Sequence, residues 1–171
     1  MLIRHTRPEV ADGVCYGRTD LDVAASFSAE ATTILASLPS IERIVTSPLR
    51  RCRRLASHIA AARGLQPAVD ARFQEMDFGR WEGLRWSDIP RREVRAWTLD
   101  FLHARPHGGE SVAELRDRTR EALSSYAGSG MQTLIVTHSG VIKAALAGGD
   151  TMESFRTPVA FGELVAVPEY G

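Results

Sequence analysis

Leu134-Ile135-Val136-Thr137-His138-Ser139-Gly140 joins an apolar run typical of a buried strand to a histidine and the start of a helix. The chain begins in a similar way, since Leu2-Ile3-Arg4-His5 is an apolar run that also ends in a histidine. The carboxyl ends of parallel strands line the crevice in which open α/β sheets bind ligands. The sequence therefore predicts that His5 and His138 face one another across a shared pocket.

Strands and helices alternate along the rest of the chain. The expected N-terminal caps are Ser28, Ser47 followed by Pro48, and a capping box of Ser111 and Glu114. This alternation favours an α/β fold, a three-layer α/β/α sandwich with a mostly parallel central sheet, in a single domain over residues 1–171. The apolar patterns predict strands at residues 1–4, 41–46, 133–137 and 161–167, and helices at residues 28–37, 48–63, 111–127 and 139–147.

Residues 80–108 form the least regular part of the sequence. They contain Trp81, Trp86 and Trp97, and Pro90 and Pro106 interrupt any helical pattern. Two interpretations stay open for this stretch: a small cap or lid inserted over the edge of the sheet, and an ordinary long connection.

Composition excludes several classes of protein. The 171 residues carry 21 Lys and Arg against 21 Asp and Glu, and this zero net charge disfavours general binding to nucleic acid or to acidic membranes. Cys15 and Cys52 lie in unrelated contexts, so neither a disulfide framework nor a CxxC metal site is expected. No apolar run approaches the length of a membrane span, and the first residues resemble a strand and not a signal peptide. A cytoplasmic protein is the expectation.

Several basic residues are placed where they would bind an anion. Arg50, Arg51, Arg53 and Arg54 occupy the first turns of a predicted helix, where the helix dipole opposes positive charge. Arg51 borders the apolar stripe of that helix, whereas Arg50 and Arg54 point towards solvent. Arg4 ends the first strand, and the helix that starts at Ser139 offers free backbone N–H groups. Together with His5 and His138, these groups predict a pocket for a phosphate dianion.

Such a pocket suits transfer of a phosphoryl group. A neutral imidazole among guanidinium groups keeps a free nitrogen that can attack phosphorus, provided that its other nitrogen donates to a carbonyl. The leaving alkoxide also needs a proton donor. Glu75 is the candidate, and Asp77 and Glu82 are its rivals because the sequence does not show which carboxylate faces inwards.

Other chemistries find less support in the sequence. Neither cysteine begins a Cys-x5-Arg loop, and no GxSxG elbow is present. His103 and His107 are four residues apart, but Pro106 interrupts the helix that would align them, so no metal site and no cofactor are predicted. Two non-enzymatic alternatives remain: a module that binds RNA or a phosphorylated partner, and a degenerate phosphate-binding module.

Five motifs in order give the chain a family resemblance that runs almost from end to end. It resembles the histidine phosphatase superfamily, in its phosphoglycerate-mutase-like branch. The resemblance implies that His5 is the phosphorylated nucleophile, that Arg4, Arg51 and His138 bind the phosphoryl group, and that Glu75 donates the proton, without a metal. The motifs are RHTRPEV at 4–10, TSPLRRCRRLA at 46–56, EMDFGRWEG at 75–83, HGGES at 107–111 and VTHSGVIKAAL at 136–146.

The chain departs from the family pattern at two positions. Thr6 stands where the family usually has glycine, which brings a hydroxyl group or a narrower site. Arg7 replaces an acidic or amide residue and changes the charge at the rim. The candidate residues that bind substrate or phosphate also include Thr6, Tyr16, Gly17 and Ser139.

The loop Cys15-Tyr16-Gly17-Arg18-Thr19-Asp20-Leu21 resembles that of α-ribazole phosphatases. This resemblance implies hydrolysis of α-ribazole 5'-phosphate in cobalamin assembly, with inorganic phosphate as the product. A broad-range sugar or nucleotide phosphatase and a phosphoglycerate mutase are the alternatives. The expected partner is a small phosphate monoester, and the sequence leaves the oligomeric state open.

Overall fold

A computed structural model describes residues 1–167, so the last four residues of the predicted domain lie outside the described residues. Within this part of the chain the strands are β1 Leu2–Arg4, β2 Arg43–Thr46, β3 Pro67–Val69, β4 Thr133–Thr137 and β5 Leu164–Val165. The α-helices are α1 Phe27–Ser37, α2 Arg50–Arg63, α3 Arg91–Leu99, α4 Val112–Tyr126 and α5 Ser139–Leu146. Three short 3-10 turns lie at Ala71–Phe73, Gly79–Trp81 and Met152–Phe155.

The five strands form one sheet in the order β3-β2-β4-β1-β5. Among residues 1–167, the strand pairs β1–β4, β2–β4 and β2–β3 are parallel, and only the short edge strand β5 runs antiparallel, to its neighbour β1. The predicted mostly parallel sheet is therefore confirmed.

Alternate residues of the central strands enter two separate cores, because successive side chains of a strand point to opposite faces of the sheet. Leu2, Val45 and Ile135 pack on the side of α4 and α5. Ile3, Ile44 and Val136 pack against α1 and α2 on the other side. The sheet is thus covered on both faces, which confirms the predicted three-layer sandwich.

The register between β1 and β4 positions the two histidines. Arg4 is the partner of Thr137, and the backbone N–H of His5 continues the pairing by donating to the Thr137 carbonyl at 2.9 Å. The next residue on each strand is a histidine, so His5 and His138 leave the same edge of the sheet side by side.

Most predicted elements occur close to their expected bounds, and the capping box of Ser111 and Glu114 is present. The prediction for the start of the second helix was wrong. Leu49, and not Ser47, is the N-cap of α2, because Leu49 has an extended backbone and the helix begins at Arg50. The Ser47 hydroxyl lies 2.8 Å from the His138 ring instead. Ser26, and not Ser28, is the N-cap of α1.

The structure also contains elements that the sequence patterns did not predict. β3 forms at the edge of the sheet with a half-buried Pro67 and two exposed residues, so it lacks an apolar signal. α3 lies inside residues 80–108, and the predicted strand at 161–167 shortens to β5. Among residues 1–167, no helix combines the length and apolarity that crossing a bilayer requires.

Candidate active site

A cavity of about 530 Å³ opens beside the ends of β1 and β4. Of the predicted site residues, Arg4, His5, Tyr16, Glu75 and Ser139 line it. Arg51, His138, Thr6 and Gly17 are not among its lining residues and lie buried next to this group. The remaining lining residues are mostly apolar: Val14, Met76, Phe78, Trp86, Trp97, Phe101, Val112, Leu115, Met152 and Phe155, together with Gly140, Lys143 and Arg156.

His5 is buried, and one of its ring nitrogens is engaged in a hydrogen bond. Its Nδ1 lies 2.6 Å from the Thr6 carbonyl oxygen, which is an acceptor only, so Nδ1 carries the proton and donates it. Burial, together with the neighbouring Arg51 and Arg4 guanidinium groups, holds the His5 pKa well below its usual value of 6.5. The imidazole is therefore neutral at pH 7, with the lone pair of Nε2 available.

Arg51 brings a fully buried guanidinium group from the first turn of α2. Its Nε donates towards His5 Nε2 at 3.3 Å. Its outer nitrogens donate to the carbonyls of Thr19 and Gly17, each at 2.7 Å. The loop that contains Tyr16 and Gly17 therefore orients Arg51 towards His5.

His138 packs against His5, with 5.1 Å between the ring centroids. Its Nε2 lies 2.8 Å from the Ser47 hydroxyl and 3.4 Å from the Cys52 thiol. Burial lowers the His138 pKa well below 6.5, and the nearby Arg51 lowers it further. Both histidines are thus neutral rings that share one buried location.

Arg4 borders the cavity on the side of Phe161. Its guanidinium carbon lies 3.8 Å from the centre of the Phe161 ring, and its Nη1 donates to the Val159 carbonyl at 2.6 Å. Its Nε is buried and has no hydrogen-bond partner among residues 1–167. Burial raises the pKa of the nearby Tyr16, against the lowering effect of Arg4 and Arg51. A donor without an acceptor beside His5 is a feature expected of an anion site.

The three candidate carboxylates occupy different surroundings. Only Glu75 lines the cavity; its oxygens accept from the backbone N–H groups of Met76 at 3.0 Å and Gly140 at 3.1 Å. Asp77 is partly exposed, accepts from the Gly79 N–H and faces Arg18 at 3.8 Å. Glu82 belongs to a loop network and not to the cavity, as described below.

Glu82 holds the turn around Thr19 to the start of the 3-10 turn at Gly79–Trp81. It accepts hydrogen bonds from the Arg18, Thr19 and Phe78 backbone N–H groups and from the Thr19 hydroxyl. Burial raises the Glu82 pKa, but these hydrogen bonds outweigh it and lower the pKa overall. Glu82 is thus a structural carboxylate that stays ionised.

Comparison with known proteins identifies the family to which this chain belongs. Residues 1–158 match the family model of the histidine phosphatase superfamily, branch 1. The chain belongs to this superfamily.

Relatives within the histidine phosphatase superfamily differ in their described activities. The chain is 33% identical to the "probable phosphoglycerate mutase GpmB" of Klebsiella pneumoniae over 80% of its own length and 67% of that protein. It is 26% identical to the structure of "a putative alpha-ribazole-5'-P phosphatase" from Escherichia coli, with a TM-score of 0.76 over 90% of this chain and 81% of that one. A mycobacterial glucosyl-3-phosphoglycerate phosphatase in complex with VO3 is 25% identical, with a TM-score of 0.79 over 94% of this chain and 87% of that one. The chain spans between 42% and 67% of the length of several curated relatives.

The two departures from the superfamily pattern differ in their surroundings. The Thr6 hydroxyl is buried and has no hydrogen-bond partner among the described residues. Arg7 is exposed, and its guanidinium carbon lies 5.2 Å from the centre of the Phe161 ring. Phe161 therefore has two arginines close to its ring, which the strand prediction for residues 161–167 did not indicate.

Aromatic residues from the stretch 80–108 form one wall of the cavity. Trp86 and Trp97 are nearly parallel, with an interplanar angle of 22° and 6.4 Å between centroids. Trp81 lies instead in a small core with Cys15 and Ile89, and its Nε1 donates to Glu93 at 2.8 Å. Of the three tryptophans in the stretch, Trp86 and Trp97 are therefore placed to contact a bound molecule.

Proposed function

We propose that this protein hydrolyses phosphate monoesters through a phosphohistidine intermediate on His5. The observation that carries the proposal is the direction of the His5 ring. Its Nδ1–H is fixed by the Thr6 carbonyl, so the Nε2 lone pair faces the Arg51 guanidinium group. A neutral, oriented imidazole beside a fixed positive charge has the properties of a nucleophile for phosphorus.

The transferred phosphoryl group binds among Arg4, Arg51 and His138, with the Thr6 hydroxyl and the Ser139 N–H as further donors. Three of these groups can donate a further hydrogen bond. The Arg4 Nε and the Thr6 hydroxyl lack partners among residues 1–167, and Ser139 begins α5, where backbone N–H groups are free. Tyr16 and Gly17 act on the site through the two arginines. Donors fixed in this way neutralise the equatorial oxygens in the transition state.

Glu75 is the proton donor in this mechanism. In the first step the Nε2 lone pair forms a bond to phosphorus, the bond from phosphorus to the ester oxygen breaks, and protonated Glu75 supplies the proton of the leaving alcohol. In the second step the Glu75 carboxylate takes a proton from water, the water oxygen attacks phosphorus, and the electron pair of the P–N bond returns to Nε2. The products are the alcohol and inorganic phosphate.

The leading substrate is α-ribazole 5'-phosphate, which would place the protein in cobalamin assembly in the cytoplasm. The aromatic wall of Trp86 and Trp97 suits a flat heteroaromatic base, because bases stack on aromatic side chains. The similarity to the Escherichia coli structure supports the same substrate. In this proposal residues 80–108 are the cap of a single domain over 1–171.

A phosphorylated carboxylic acid is the second candidate, as substrate of a mutase or of a phosphatase. Lys143 and Arg156 line the cavity, and Lys143 makes no ion pair within residues 1–167. A second anionic group on the substrate would compensate this charge. The similarity to the Klebsiella pneumoniae protein favours 3-phosphoglycerate.

Phosphate release from a panel of monoesters in excess EDTA tests the proposal. The panel contains α-ribazole 5'-phosphate, 3-phosphoglycerate and a sugar phosphate, and each product is identified. We expect turnover by the natural protein, none by His5→Ala, and full turnover by the control His103→Ala, whose side chain is exposed. Retained turnover in His5→Ala or loss of activity in EDTA contradicts the proposal. A shifted phosphate position indicates a mutase, and phosphate binding without turnover indicates a degenerate binding module.

A further inference from the structure

Arg118, on α4, reaches the backbone of the segment that carries Glu75. Its Nη1 donates to the Arg72 carbonyl at 2.6 Å, and its Nη2 donates to the Glu75 carbonyl at 3.2 Å. The Arg118 side chain is 17% exposed and does not line the cavity. One guanidinium group therefore joins two carbonyls of the segment that leads into the active site.

Glu110 fixes this guanidinium group in place. Its two oxygens accept from Arg118 Nε at 2.6 Å and Nη2 at 2.8 Å, which is the bidentate geometry of a strong ion pair. The backbone N–H of Glu110 also donates to the Asp77 carbonyl at 2.9 Å, and one Glu110 oxygen lies 3.4 Å from the Asp77 N–H. Glu110 thus holds Arg118 on one side and the residues just after Glu75 on the other.

The Glu75 carboxylate itself has no cation as a partner among the described residues. Its hydrogen bonds come from the backbone N–H groups of Met76 and Gly140. Where this carboxylate lies relative to His5 therefore depends on the path of its own backbone as well as on the Gly140 N–H. That backbone is tied to α4 by Arg118.

We propose that Arg118, held by Glu110, is a positioning residue for the proton donor Glu75. This inference rests on the proposed function, because it needs Glu75 to protonate the leaving group. A guanidinium fork serves the role and an ammonium does not, since a lysine offers a point charge without the bidentate geometry.

Esters with different leaving groups distinguish a positioning role of Arg118 from a general effect on the stability of the fold. An alkyl phosphate needs a proton from the enzyme as its alcohol departs, whereas the p-nitrophenolate ion leaves without one. A misplaced Glu75 therefore lowers kcat/KM selectively for an alkyl ester, because kcat/KM reports formation of the phosphohistidine and not the later attack of water, which is the same for both esters. General damage to the fold, or loss of phosphate binding, slows both esters.

The experiment compares kcat and KM of Arg118→Lys and Glu75→Gln for glycerol phosphate and p-nitrophenyl phosphate. We expect Arg118→Lys to lower kcat/KM for glycerol phosphate about tenfold or more, with kcat/KM for p-nitrophenyl phosphate changed by less than about threefold. In the Glu75→Gln background, Arg118→Lys should add no further loss, because both changes remove the same proton transfer. The control is Arg116→Lys, on the same helix and paired with exposed Asp117 and Asp150.

Three results overturn the inference: equal losses of kcat/KM for the two esters, an additive loss in the double variant, or an unchanged kcat/KM for glycerol phosphate. If Arg118→Lys does not fold, Glu110→Gln is tested with the same two esters and the same criteria. If Glu75→Gln leaves the rate for glycerol phosphate unchanged, the proton-donor role of Glu75 fails, and the inference fails with it. A loss in Glu75→Gln without a loss in the Arg118 variant overturns the inference alone.

Discussion

The Nε of Arg51 lies 3.3 Å from Nε2 of His5 and donates towards its lone pair. Because the other ring nitrogen of His5 is committed to the Thr6 carbonyl, Arg51 covers the only acceptor that the ring has left. In the proposed mechanism, an incoming phosphoryl group takes over this donor before Nε2 attacks. In that mechanism the same guanidinium group first hydrogen-bonds the free imidazole nitrogen and then binds the transferred phosphoryl group.

Arg51→Lys should lower kcat/KM by about 100-fold, because lysine cannot donate to His5 and to two carbonyls at fixed angles. Arg50→Lys, one residue earlier and exposed, is the matched control and should keep its activity. Steady-state kinetics with any accepted ester measures the effect. An Arg51→Lys variant that matches the control would remove Arg51 from the phosphate site.

Gly140→Ala should displace the Glu75 carboxylate, because a Cβ at Gly140 would overlap Glu75 Oε1. The overlapping atom ends a flexible side chain, so the fold can adapt while the proton donor moves. We expect the rate for an alkyl phosphate to fall by about 100-fold, within the usual range for general acid catalysis, while the thermal midpoint changes little.

Gly148→Ala is the control for Gly140→Ala, since a Cβ there meets no atom within 4 Å. If Gly140→Ala hydrolyses the alkyl phosphate at the rate of this control, Glu75 does not need its present position, and its role as proton donor is contradicted.

Folding stability should fall below about pH 6.5, because the pKa values of His5 and His138 are held well below this ordinary histidine value in the folded state. In this range the unfolded chain binds protons that the folded chain does not, so acid favours unfolding. Each histidine contributes up to about 1.4 kcal/mol between about pH 7.5 and about pH 5.5. Urea unfolding of the natural protein and His138→Asn at both pH values measures the effect. An identical pH dependence in the two proteins would mean that His138 is not held neutral.

The strand and helix around His138 were predictable because their signals are local. Three apolar residues and a threonine precede the histidine, and a helix starts directly after it at Ser139. The register of β1 against β4 then follows from pairing two runs that each end in a histidine. Local signals in the sequence are therefore enough to predict that His5 lies beside His138.

The sequence names Glu75 as the candidate proton donor but leaves Asp77 and Glu82 as rivals, since the three carboxylates lie within eight residues of one another. Their orientations depend on backbone N–H groups from distant parts of the chain, such as Gly140 for Glu75 and Thr19 for Glu82. Arg118 was missed for a similar reason. On α4 its sequence context is that of a surface arginine, and only the fold brings Glu110 and the Glu75 carbonyl to it.

Glu82→Gln should destabilise the fold more than it slows the chemical step. An amide keeps one acceptor oxygen and puts an NH2 group against N–H donors of the loop, which costs about 1 to 3 kcal/mol. Asp77→Asn provides the comparison, because Asp77 is partly exposed and accepts one hydrogen bond from Gly79. Urea unfolding and kcat for an alkyl phosphate are measured for both variants. A loss of kcat in Glu82→Gln as large as that in Glu75→Gln would reopen the assignment of the acid.

Trp86→Ala tests the substrate, because Trp86 lines the cavity and is 41% exposed, so its removal leaves the buried cores intact. Stacking of a base on an aromatic ring contributes about 1 to 3 kcal/mol. If α-ribazole 5'-phosphate is the substrate, its KM should rise about tenfold in Trp86→Ala, while glycerol phosphate changes by less than about twofold. Leu99→Ala, on α3 and 77% exposed, is the control. The phosphorylated carboxylic acid would give the opposite pattern: Trp86→Ala would leave its KM unchanged, and Lys143→Met would raise it. Trp86→Ala and Lys143→Met change different walls of the same cavity, so the KM values of the two variants distinguish the candidate substrates.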